Sequence, residues 1–129
     1  MKFSLIICTY QRPKPLLQLL QSVQEQTLYP DEILIIDGST NEATQFILEQ
    51  NHFQNVHYFL VPKEHRGLTK QRNFGIDKVS ADGEIVCFLD DDTVLSTDYF
   101  EQLVTTFQSD ETISGVGGVA TNENKWKAK

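Results

Sequence analysis

Three near-continuous apolar runs, Phe3–Cys8, Glu32–Ile36 after its first acid, and Glu84–Leu89 after its own, leave this chain few folds to adopt. A strand with one wet face alternates apolar and polar residues. A run that is apolar at almost every position needs cover on both faces, which is the environment of a parallel sheet flanked by helices. The intervening segments have helical periodicity. Leu16, Leu19, Leu20 and Val23 recur at i, i+3, i+4 and i+7 with Gln18, Gln21 and Gln24 opposite, predicting an amphipathic helix from Pro13 or Pro15. After the second run, Gly38-Ser39-Thr40-Asn41-Glu42 offers a turn and a Ser39-to-Glu42 capping box, opening a helix with Ala43, Phe46 and Ile47 inward. A strand over Val56–Val61 stops at Pro62. Next comes a helix over Gly67–Val79 with Leu68, Arg72, Gly75, Ile76 and Val79 on its apolar stripe. Thr97 or Asp98 caps a last helix with Phe100, Leu103, Val104 and Phe107 inward, and Ile113–Val119 reads as a glycine-rich strand. Strand–helix alternation of this kind predicts an α/β fold: a mostly parallel sheet with helices on both faces, in one domain of 129 residues.

Ligands of such sheets bind outside the carboxyl ends of the strands. Three polar clusters fall there: Thr9-Tyr10-Gln11-Arg12, Asp37-Gly38-Ser39, and Asp90-Asp91-Asp92. The formal net charge of -7 argues against a nucleic-acid partner or an anionic membrane surface, so any phosphate site is local. The apolar start of the chain is too short for a signal peptide and is interrupted by Thr9, and no run is long enough to insert in a membrane. Cys8 and Cys87 lack metal-ligand spacing and read as reduced core thiols of a cytoplasmic protein. His52, His57 and His65 form no ligand cluster and read as surface or loop residues. Lys63, Arg66, Lys70 and Arg72 make a local basic patch, suited either to attracting an anion or to ordinary solvation.

Three adjacent carboxylates at a strand end repel one another, and a hard divalent ion with oxygen ligands, Mn²⁺ or Mg²⁺, relieves that repulsion. Residues two apart on an extended backbone share a face, so Asp90 and Asp92 can meet one ion while Asp91 points elsewhere. A solvated acidic loop is the alternative.

Taken in order, SLIICTYQRP, EILIIDGST, GLTKQRNFGI and EIVCFLDDDTVL resemble the successive signatures of family-2 glycosyltransferases with the Rossmann-like GT-A fold, over essentially the whole chain. The resemblance implies a donor-binding domain over residues 1–129 for a nucleotide-diphospho-sugar, with UDP-sugar the expected partner. It places Thr9 and Tyr10 in a uracil pocket, although Cys8 and Gln11 stand where the family has proline and asparagine; a planar ring such as Tyr10 can stack on a base. Arg12 joins them as a donor-binding candidate. Asp37 matches an acid that accepts the uracil imide N–H, with a helix-start acid as the alternative. Arg72 and Asn73 match a segment whose arginine reaches the uridine or the phosphates; a salt bridge from Arg72 to the strand-end acids is the structural alternative. Asp90-Asp91-Asp92 corresponds to the family's Asp-X-Asp, with Asp92 a direct metal ligand and Asp90 or Asp91 holding the ribose or a second coordination position.

The same resemblance implies inverting transfer to a hydroxyl of a glycan or lipid-linked glycan, at the inner face of the membrane in a longer parent. The general base such transfer needs matches no residue before Lys129, so the sequence reading expects a truncation before the acceptor-binding part and no catalytic residue in this chain. A nucleotide-binding or assembly module without activity of its own is the competing reading. A phospho-acceptor receiver domain is set aside because the first strand ends in Cys8-Thr9-Tyr10 rather than acids.

Overall fold

The computed structural model describes residues 2–109, so the glycine-rich strand expected over Ile113–Val119 lies outside the described residues. Four parallel strands, β1 (Phe3–Thr9), β2 (Glu32–Asp37), β3 (Val56–Leu60) and β4 (Ile85–Asp90), stand in the order β3-β2-β1-β4. The helices are α1 (Pro13–Gln24), α2 (Ala43–Gln50), α3 (Leu68–Lys78) and α4 (Tyr99–Ser109), with a short 3-10 turn at Lys63–His65. The alternation predicted from the sequence is therefore the alternation observed.

Strand pleating divides the core. Phe3, Leu5, Ile7, Ile33, Ile35, Ile85 and Cys87 face one way, onto Leu16, Leu19, Leu20 and Val23 of α1 and Phe100, Leu103 and Val104 of α4. The stripes expected for α1 and α4 are thus the buried ones, and the Phe3 and Phe100 rings meet edge to face at 4.9 Å. Ile6, Leu34 and Ile36 face the other way, toward α3. Both faces of the two central strands, β1 and β2, are covered, as continuous apolar strands require.

Three expectations need correction. The stripe of α3 is rotated from the predicted one: Gln71 and Gly75 are buried, whereas Leu68 and Ile76 are 53% and 49% exposed. The cause is close approach. A β-carbon at Gly75 would stand 2.8 Å from Ile6 Cγ2 and 3.3 Å from Ile36 Cγ1, both fully buried in the core. Glycine brings the helix axis down at this point, and adding a methyl costs about 1–3 kcal/mol in overpacking, against about 1 kcal/mol gained in helix propensity. The neighbouring stripe then carries Phe74 onto Phe59, ring to ring at 5.7 Å.

In α2 the inward residue is Thr44, and Phe46 is 60% exposed; no Ser39-to-Glu42 box forms, because Ser39 is engaged with Asp37 and Gln11 while Asn41 Oδ1 accepts the Ala43 N–H. The third correction concerns β4. Val86 and Phe88 are 39% and 37% exposed because β4 is the outer strand among the described residues.

Candidate functional site

Parallel pairing aligns the strands' carboxyl ends: Thr9 is opposite Asp37 and Cys8 opposite Asp90. The chain leaves β1 and β4 at this edge and opens a cleft of 640 Å³ lined by Cys8, Thr9, Tyr10, Arg12, Arg66, Gly67, Leu68, Gln71, Asp90, Asp91 and Asp92. Two of the three polar clusters singled out in the sequence contribute to this lining.

The acid triplet is divided by its surroundings. Asp91 turns inward, where its Oδ2 accepts the Thr9 hydroxyl at 2.9 Å and its Oδ1 stands 3.5 Å from the Arg12 guanidinium. Burial pushes the Asp91 carboxyl above the ordinary aspartate range, against the opposing pull of Thr9 and Arg12. Asp90 and Asp92 stay exposed; Asp92 has Arg12 at 3.7 Å, and the Asp90 carboxylate has no hydrogen bond or ion pair among the described residues. No group of three or more Asp, Glu, His and Cys side chains gathers into a ready-made metal cage among the described residues. A hard cation that shares its shell with a ligand needs only one or two protein carboxylates, with phosphate oxygens and water filling the remaining positions. Asp90 and Asp92 fit this description, and Asp91 does not, since its oxygens already serve Thr9 and Arg12.

Asp37 is fully buried behind the cleft rather than on its wall. Its Oδ1 accepts the Ser39 N–H at 2.9 Å and the Ser39 hydroxyl, and its Oδ2 accepts the Tyr58 hydroxyl at 2.6 Å. Burial, and the bond to Asp37, push the Tyr58 hydroxyl above the ordinary tyrosine range. Arg72 and Asn73 do not line the cleft either. The alternative, a salt bridge from Arg72 to the strand-end acids, does not form among the described residues; its guanidinium lies over the Phe88 ring, 5.5 Å from the centroid, in a cation–π contact.

Sequence reasoning missed Gln71. Its Nε2 donates to the Thr9 and Ile36 carbonyls at 3.1 and 2.9 Å, and its Oε1 accepts the Gly67 N–H at 3.1 Å, joining the ends of β1 and β2 to the start of α3. The available signal was its i, i+4 spacing to Gly75, which marks the face pressed against the sheet.

Cys8 is a free thiol on the cleft wall. Burial pushes it up to about 11 from 9.0, with Arg72 acting against the shift and Asp90 and Asp91 adding to it. At pH 8 such a thiol carries about a hundredfold less thiolate than an unperturbed one, and thiolate is the reactive form. Iodoacetamide labelling of Cys8, followed by peptide mass spectrometry, is therefore expected to run about tenfold slower than in the unfolded chain, the greater nucleophilicity of a high-pKa thiolate returning part of the loss, and to accelerate as pH rises toward about 11.

The family model described as Glycosyl transferase family 2 matches residues 4–129. A putative glycosyltransferase, EpsH, of Bacillus subtilis (strain 168) is 31% identical over 109 residues, which is 84% of this chain and 31% of that protein. The UDP-Gal:alpha-D-GlcNAc-diphosphoundecaprenol beta-1,3-galactosyltransferase of Escherichia coli is 34% identical over 104 residues, 78% of this chain and 37% of the relative. Among solved structures, S. aureus TarS 1-349 in complex with UDP-GlcNAc superposes with a TM-score of 0.71 at 26% identity, covering 84% of this chain and 32% of TarS 1-349. The chain thus spans about a third of the length of each of these three proteins.

Proposed function

We propose, because the chain belongs to glycosyl transferase family 2, that its cleft binds the nucleoside diphosphate part of a UDP-sugar together with Mn²⁺ or Mg²⁺, for inverting transfer of the sugar to a hydroxyl of a glycan or lipid-linked glycan. The observation that carries this reading is the division of the triplet, with Asp91 locked to Thr9, and Asp90, without a partner among the described residues, and Asp92, held only by the exposed Arg12, on the wall of a cleft that also presents Tyr10. The E. coli relative named for UDP-Gal and a diphosphoundecaprenol-linked acceptor, and the TarS complex with UDP-GlcNAc, support the choice of donor and acceptor class. The lipid-linked acceptor in the name of the E. coli relative supports work at a membrane surface; no described helix is long and apolar enough to cross one.

Each residue then has a task. The Tyr10 ring, 52% exposed, offers a face on which a nucleobase stacks. Asp90 and Asp92 hold the cation, and Thr9 fixes the turn that carries them by binding Asp91. Arg12, beside Asp91 and Asp92, supplies a positive charge close to where the diphosphate lies. The divalent ion, when bound, neutralises the diphosphate and stabilises it as leaving group. Calorimetric titration with UDP-, GDP- and CDP-sugars in Mn²⁺ tests the donor assignment. The UDP-sugar is expected to bind at least tenfold more tightly than the other two; equal binding of all three, or none, overturns it.

A further inference from the structure

Between the end of β1 and the start of α1 the chain has three residues in which to turn, and Gln11 makes the turn in a left-handed conformation, φ 51°. Residues other than glycine enter this region only at a cost, and glutamine lacks the short side chain that lets asparagine settle there. Something must hold it. The Gln11 N–H donates to Ser39 Oγ at 2.7 Å, and Gln11 Oε1 accepts the Thr40 N–H at 3.3 Å and the Thr40 hydroxyl. Ser39 is itself fixed, donating both its N–H and its hydroxyl to Asp37, whose other oxygen is held by Tyr58 from the adjacent strand. Tyr58, Asp37, Ser39 and Gln11 thus form one continuous relay from β3, through the loop after β2, to the loop after β1.

The relay ends next to Tyr10. That side chain is half-exposed and makes no hydrogen bond or ring contact among the described residues, so the backbone at Gln11 sets its place on the cleft wall. We infer that Ser39 and Tyr58 are positioning residues of the cleft: through Asp37 they anchor Gln11 in its left-handed turn and thereby hold Tyr10 where a nucleobase stacks. The part of this inference that concerns the base rests on the nucleotide reading above; the anchoring itself does not. It also gives Asp37 a role without contact with the base.

The test combines two measurements on the protein and its variants. The Gln11 amide is expected to be protected from hydrogen exchange and to exchange at least tenfold faster in Ser39→Ala, with core amides of β1 unchanged. In calorimetry with UDP and Mn²⁺, Ser39→Ala and Gln11→Val are each expected to weaken binding about tenfold. Gln11→Asn introduced into Ser39→Ala is expected to recover most of that loss, because asparagine tolerates the left-handed region without the anchor. Gln11 is exposed, so its variants keep the core intact. Recovery by Gln11→Asn is an outcome that a general loss of folding does not produce. An unprotected Gln11 amide in the unaltered protein overturns the anchor. Unchanged UDP affinity in both Ser39→Ala and Gln11→Val overturns the link to Tyr10. Failure of the unaltered protein to bind UDP contradicts the nucleotide reading and the link to the base together, while the exchange result still decides the anchor.

Discussion

Substituting Asp90 and Asp92 together by asparagine is expected to weaken UDP binding about a hundredfold and to leave the residual affinity indifferent to EDTA. The two carboxylates are exposed on the cleft wall and committed to no strong partner, which is why they are free to share a cation with a ligand. Losing a charged contact costs about 1.5–3 kcal/mol, and about 1.4 kcal/mol corresponds to tenfold in affinity, so removing two charges from one ion amounts to at least two orders of magnitude. The same substitutions are expected to leave folding stability within about 0.5 kcal/mol, since Asp90 has no partner among the described residues and the exposed Asp92–Arg12 ion pair contributes little. Asp91→Asn differs in kind: it disturbs the bond with Thr9 and so the turn itself. Titration of the double variant with and without EDTA checks the assignment, and a residual affinity that still falls on chelation would move the metal ligands elsewhere.

The largest loss of stability is expected at Asp37. Asp37→Ala strands the Tyr58 hydroxyl together with the Ser39 N–H and hydroxyl, all of which end on this one buried carboxylate. Leaving buried donors unsatisfied costs about 1–3 kcal/mol for each group, so a total near 4 kcal/mol is expected in urea unfolding, a large part of the 5–15 kcal/mol typical of a domain. Asp37→Asn keeps an acceptor in place and is expected to lose less than half as much. Because Asp37 stands behind the cleft wall, Asp37→Asn is further expected to weaken UDP and CDP equally. A shift in the UDP-to-CDP ratio would put the Asp37 carboxylate in contact with the base, as the family resemblance implies.

What was legible in the sequence was what consecutive or helically spaced residues encode. Leu16, Leu19, Leu20 and Val23 announced the buried face of α1, and Ile33–Ile36 the doubly covered strand, because each pattern depends on local periodicity alone. The lining of the cleft was legible where the end of a strand delivers its residues, as β1 delivers Thr9 and Tyr10 and β4 delivers Asp90, Asp91 and Asp92. Where the packing of one element on another decides the outcome, the sequence misled. Leu68 and Ile76 look like the apolar stripe of α3, yet contact through Gly75 rolls the helix and buries Gln71 in their place. Tyr58 and Gln71 escaped notice, and Ser39 was read as a helix cap, because their significance lies in hydrogen bonds to residues far along the chain: Tyr58 to Asp37, Ser39 from the Gln11 amide, Gln71 to the Thr9 and Ile36 carbonyls. No periodicity records such bonds.

The central claim is that the acidic edge of the sheet binds a nucleotide-sugar only with a divalent cation between them. Without a cation, Asp90, Asp91 and Asp92 face a diphosphate of the same sign across a cleft in which Arg12 is the only cation within 4.0 Å of their carboxylates among the described residues. The most direct measurement is calorimetric titration of the protein with a UDP-sugar in Mn²⁺ and again in EDTA. Saturable binding in Mn²⁺ that weakens about a hundredfold or more in EDTA is the expected result; equal affinity in the two conditions would contradict it.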